Sequence, residues 1–149
     1  MEPDKSAAYI IKLDSKGDKV WDKSFGVKDL DAESFVSSDE LKGVNANSIC
    51  QTSDGGFIVS IYTYSKMKIE DAFIIRLDNK GDIIWKKKIG LKELDKEYVE
   101  LFKGPTRVNA NSVRQTSDKG FIVAGGIIDS REGISDIYII KTDPNGNVH

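Results

Sequence analysis

A period of 64 residues runs through this sequence and settles its architecture before any local reading is needed. Val44-Asn45-Ala46-Asn47-Ser48 returns as Val108-Asn109-Ala110-Asn111-Ser112, and Gln51-Thr52-Ser53-Asp54-Gly55-Gly56-Phe57-Ile58-Val59 as Gln115-Thr116-Ser117-Asp118-Lys119-Gly120-Phe121-Ile122-Val123. Tyr9-Ile10-Ile11-Lys12-Leu13-Asp14, with Gly17 and Trp21 behind it, returns as Phe73-Ile74-Ile75-Arg76-Leu77-Asp78 with Gly81 and Trp85. A third copy, Tyr138-Ile139-Ile140-Lys141-Thr142-Asp143 with Gly146, follows after 65.

Each unit consists of short runs of Ile, Val, Phe and Tyr bounded by Asp, Asn, Ser and Gly, the mark of strands joined by tight turns. Four strands per unit are expected: A over about 48–52, B over about 57–63, C over about 72–77 and D over about 82–88. Gly55 and Gly56 sit in the A–B turn, and Gly81 in the C–D turn, where positive φ is needed. The fold class is therefore all-β. Four-stranded antiparallel units with a recurring Trp in the last strand match β-propeller blades better than a sandwich, whose strands need not repeat, or a solenoid of shorter repeats.

On this reading residues 1–149 form one partial propeller domain of about two and a half blades. Residues 7–25 supply strands C and D, 44–90 a whole blade, and 108–149 a blade whose last strand is cut short. Closed propellers use roughly four to eight blades, so either further blades of a longer chain or self-association is expected to cover the apolar blade faces. Inserts at 27–43 and 91–107 replace the usual short D-to-A connection. Leu91, Leu94, Tyr98 and Leu101 or Phe102 fall at helical spacing, loosely echoed by Val27, Leu30 and Phe35, so each insert is expected to hold a short amphipathic helix.

Two stretches, Gln51 to Val59 and Asp71 to Trp85, resemble the repeats of bacterial and archaeal β-propeller proteins, many of them exported. The spacing of Asp78, Gly81 and Trp85 is similar to that in quinoprotein-like propellers, and that likeness implies that Trp21 and Trp85 pack between neighbouring blades. The sialidase-type Asp box is not matched, since two residues separate Asp14 from Gly17 and Asp78 from Gly81, so glycosidase activity is not carried over. Lys119 stands where the first complete unit has Gly55.

Residues that recur in every unit are most simply structural: Trp21, Trp85, Asp54, Gly56, Asp118, Gly120, Gly17 and Gly81. The segments 14–18 and 78–82 place Lys where a calcium loop needs oxygen, so they read as turns, and no metal or cofactor is expected. Asn45, Asn47, Asn109 and Asn111 are expected to bond the local backbone as the chain enters a strand. Gly125-Gly126 reads as close strand packing or a bulge. Cys50 gives way to Arg114 in the next unit, and the one His is His149, so no Cys/His nucleophile pair can be assembled.

With 22 Lys and Arg against 24 Asp and Glu, interspersed, no basic surface for nucleic acid is expected. No window is apolar enough for a membrane span, and the N-terminus has no export signal. Function should lie where units differ. D-to-A and B-to-C connections emerge together in a propeller, so the face carrying Phe35, Tyr64, Tyr98 and Phe102 is the candidate binding surface for a protein or carbohydrate. The expected role is a non-enzymatic binding or scaffolding module. The alternatives are part of a quinoprotein-like or lyase-type propeller enzyme, whose catalytic groups would lie on blades outside this sequence, and a self-assembling structural repeat.

Overall fold

The computed structural model describes residues 6–30, 41–65, 71–90, 100, 106–129 and 133–148. They form nine strands: β1 Ala8–Leu13, β2 Lys19–Phe25, β3 Leu41–Gln51, β4 Phe57–Ser65, β5 Ala72–Leu77, β6 Ile83–Ile89, β7 Thr106–Gln115, β8 Phe121–Asp129 and β9 Ile134–Thr142. The expected all-β class holds. Three antiparallel meanders follow one another along the chain, β1-β2, β3-β4-β5-β6 and β7-β8-β9. The first holds only the C and D strands, the second all four, and the third A to C, with Val148 making a single antiparallel bridge to Thr142 where a fourth strand would begin.

Two irregularities of pairing recur from one sheet to the next. Asn47 is skipped in the pairing of β3 with β4, where Ala46 faces Ile61 and Ser48 faces Ser60, and Asn111 is skipped in the same way between Ala110 and Ser112. These β-bulges insert one extra residue and turn the strand. A second bulge recurs in strand D: Lys12 pairs Trp21 while Leu13 pairs Lys19, and Arg76 pairs Trp85 while Leu77 pairs Ile83.

Strand A runs well ahead of its expected start, from Leu41 and from Thr106, because the bulges let the polar Val-Asn-Ala-Asn stretch stay paired with strand B. The last residues of both inserts are therefore strand. A 3₁₀ turn at Val27–Leu30 buries Val27 and Leu30, so those two positions of the first insert do pack inward, in a tighter helix than expected. Phe35 and the stretch from Leu91 to Phe102, apart from Glu100, lie outside the described residues.

The sheets stack face to face around two cores. One lies between the first and second sheets and holds Ala8, Ile10, Phe25, Val59, Ile61, Phe73, Ile75 and Leu77. The other lies between the second and third and holds Ile58, Ala72, Ile74, Val113, Phe121, Val123, Tyr138 and Ile140. Strand β5 sends alternate residues into the two cores and is buried at all six positions, as a strand in a middle layer must be.

The contact between layers is built the same way twice. Trp21 meets Phe57 edge to face at 5.6 Å between centroids, and Trp85 meets Phe121 at 5.7 Å. Each indole also lies against a glycine in the C–D turn of the following sheet: a Cβ on Gly81 would come 3.0 Å from Trp21, and one on Gly146 would come 2.8 Å from Trp85. Both glycines have positive φ, so here the turn conformation and the close approach demand the same residue. Trp21 Nε1 donates to Asn79 O at 3.0 Å, and Lys23 and Lys87 repeat an outer contact, to Asp82 and Asn147.

Candidate functional site

Antiparallel meanders stacked in one sense put the described A–B and C–D turns at one end and the strand ends that lead into the other connections at the opposite one. At the turn end the C–D turns are fixed by their leading aspartates: the Lys80 and Asp82 amides donate to Asp78 Oδ1 at 2.8 and 2.9 Å. Asp14 and Asp143 repeat the arrangement in the other sheets. Their carboxylates cap backbone amides, in keeping with turn chemistry.

The A–B turns carry the more developed cluster. Asp54 Oδ1 accepts from Thr52 Oγ1 at 2.6 Å and from the Gly56 amide at 3.2 Å, while Arg76 Nη2 reaches both carboxylate oxygens at 2.6 Å. Arg76 is buried and also donates to the carbonyls of Phe57 and Leu77. A buried guanidinium is tolerated only when its donors are used, and this one clasps the A–B turn to strand C. The third sheet repeats the clasp with Thr116, Asp118, Gly120 and Lys141, the last 2.7 Å from Asp118.

The hydrogen bond from Thr52, then those from Gly56 and Arg76, hold the Asp54 carboxyl at about 2, and Lys141 with Thr116 pulls Asp118 down as well. Both are ionised at neutral pH and already bonded, so neither serves as a general acid or as a free base. Beside the first clasp lies a cleft of about 410 Å³ lined by Ser53, Asp54, Arg76, Gln115, Lys119, Phe121 and Pro144. Lys119 Nζ donates to Ser53 Oγ at 2.8 Å and Gln115 Oε1 accepts from the Ser53 amide at 2.8 Å, so its polar walls also tie the two sheets together.

At the opposite end Tyr64 is half-buried, and its hydroxyl lies 2.5 Å from Ser6 Oγ. Of the expected binding face only Tyr64 is among the described residues; Phe35, Tyr98 and Phe102 are not. Asn45 and Asn47 do not bond the local backbone as expected. Asn47 Nδ2 donates across the layers to Ala110 O at 3.0 Å, and Asn45 Nδ2 donates to Tyr62 on the neighbouring strand. The bulge turns Asn47 out of its own ladder and toward the next sheet. Gly125 fulfils the close-packing reading, since a Cβ there would strike Asn109 O and the Tyr138 hydroxyl.

Arg76 and Gln115 were not singled out by sequence reasoning, and Lys119 only as a departure from Gly55. A signal was present: the acid of the A–B turn and the cation of strand C recur together, Asp54 with Arg76 and Asp118 with Lys141. Among the described residues no helix is long and apolar enough to cross a membrane. No protein family model matches this chain, and no curated protein sequence matches it.

Proposed function

We propose that these sheets are β-propeller-type blades of the bacterial and archaeal repeat kind, and that the chain is a non-catalytic module that binds a protein or carbohydrate through the end carrying its long connections. The observation supporting this is the repetition of one inter-sheet contact, Trp21 on Phe57 and Gly81, then Trp85 on Phe121 and Gly146. A packing solution used once per unit belongs to an array that extends by adding units. The charged groups of the turn end fit a structural role, because Asp54, Arg76, Asp118 and Lys141 are committed to one another. That leaves the connections, which differ from unit to unit, as the place for recognition.

A glycan array probed with the full chain tests the reading, with Tyr64→Ala and Lys119→Ala as the comparison proteins. Binding that Tyr64→Ala abolishes and Lys119→Ala leaves intact supports the connection end. Binding lost only in Lys119→Ala would move the surface to the turn-end cleft. Cleavage of an arrayed glycan that Asp54→Asn abolishes would overturn the non-catalytic reading altogether.

A further inference from the structure

The two outermost sheet faces of the stack are apolar and exposed. On the outer face of the third sheet Ile137 is 78% and Ile139 is 68% exposed, with Ile122 beside them. On the outer face of the first sheet Tyr9, Ile11 and Leu13 are each at least half exposed. Contiguous apolar surface of this kind marks an interaction site.

The repeat says what fits each face. Ile122 and Ile139 occupy the positions of Ile58 and Ile74, which in the second sheet are fully buried against the third. Tyr9, Ile11 and Leu13 occupy the positions of Phe73, Ile75 and Leu77, which are buried against the first. One end of the stack therefore shows aliphatic positions of strands B and C that the chain covers internally, and the other end shows strand C positions of the kind that cover them; the Trp–Phe contact, which needs a strand D on one side and a strand B on the other, is not part of this match. Two identical faces would make a closed two-fold pair, whereas two different complementary faces make a head-to-tail contact.

We propose that a second copy of this chain docks head to tail, the outer face of β8 and β9 against the outer face of β1 and β2 of the next copy, continuing the stack. The inference rests on the equivalence of the units and is independent of any ligand at the connection end. A contact of this kind leaves one face of each sort unused at the ends of the assembly, so association continues with concentration unless a ring closes.

Sedimentation velocity of the full chain over a concentration series tests this, alongside Ile139→Lys on one face and Ile11→Lys on the other. The average mass of the natural chain is expected to rise above the 16.5 kDa of one copy. Each variant alone is expected to stay monomeric, its association weakened at least about tenfold by a charge placed at the centre of the contact. Mixed together they are expected to form a heterodimer and nothing larger, because each retains the face that the other has lost. Far-UV circular dichroism checks that both variants fold, and Ile137→Lys with Leu13→Lys serves as a second pair. A natural chain that stays monomeric at the highest attainable concentration overturns the proposal. So does a variant that associates alone as the natural chain does, or a mixture that gives no heterodimer. Glycan binding would be untouched by any of these results.

Discussion

Gly125 and Tyr138 show how single positions adjust to one another within a fixed architecture. In the second sheet Ile61 pairs with Phe73, and in the third the same places hold Gly125 and Tyr138. The ring that gains a hydroxyl lies opposite the position that has lost its side chain. That hydroxyl donates to Asn109 O at 2.9 Å, and burial raises its pKa. Gly125→Ala is therefore expected to cost about 1–3 kcal/mol, as overpacking does, in chemical denaturation. Tyr138→Phe in the same chain should recover part of that loss, since it removes the hydroxyl and frees the carbonyl that crowd the new methyl. A neutral Gly125→Ala would refute the pairing.

Asp54 carries the pH dependence at this scale. Its carboxyl is held below its ordinary value, to about 2, so the folded state binds fewer protons than the unfolded one. The stabilisation is complete above the unfolded value near 4 and is lost as pH falls from there toward 2. The effect is modest, because the Asp54 side chain is 65% exposed. Asp54→Asn should flatten the stability profile over that window in urea titrations, and should cost about 1–3 kcal/mol at neutral pH by leaving the buried Arg76 without its carboxylate. Unchanged acid sensitivity in the variant would assign the titration elsewhere. None of this clasp is visible in an alternation pattern, which reads Arg76 as the solvent side of a strand with one wet face. Its burial depends on a third sheet packing over that face.

Among elements, strands B and C are where sequence and structure agree most closely, since β4 begins at Phe57 and β5 spans Ala72–Leu77 as expected. Their ends are set by glycine and aspartate turns that local chemistry dictates. Strand A was legible only in its second half: its first half is polar and its pairing passes through a bulge at Asn47, which breaks the two-residue period on which strand recognition depends. Strand D is legible through its Trp. Trp85 is half-buried against Phe121 and Gly146, so Trp85→Ala should cost about 2–4 kcal/mol, somewhat below the range for a fully buried ring. Trp21 holds only a two-stranded sheet, which has little stability of its own. Trp21→Ala should therefore speed amide hydrogen exchange in β1 and β2 while leaving β7 to β9 unchanged. Equal loss of protection in all three sheets would mean that the layers open as one unit.

For the molecule as a whole, what the repeat fixes is a relation between units. A unit that recurs with its bulges, turn aspartates and Trp intact must meet its neighbours in the same way each time. Equivalent positions differ where a neighbour is missing: Ile49 is 46% exposed while Val113, its equivalent, is 0% exposed. The third sheet has a strand A in front of it and the second does not, because the first sheet holds only C and D strands. The candidate recognition surface was much less legible, since connections that differ between units carry no periodic signal. The turn-end cleft forms only where two sheets meet.

The proton spectrum of the turn glycines gives the most direct view of that relation. An indole packed on Gly81 and on Gly146 should shift their α-protons upfield and give NOEs from Gly81 to the Trp21 ring and from Gly146 to the Trp85 ring. Gly17, which occupies the same turn with nothing within 4 Å of where a Cβ would stand, should show neither effect. Three glycines with alike shifts and no NOE to either indole would contradict the stacking of repeated sheets on which everything above depends.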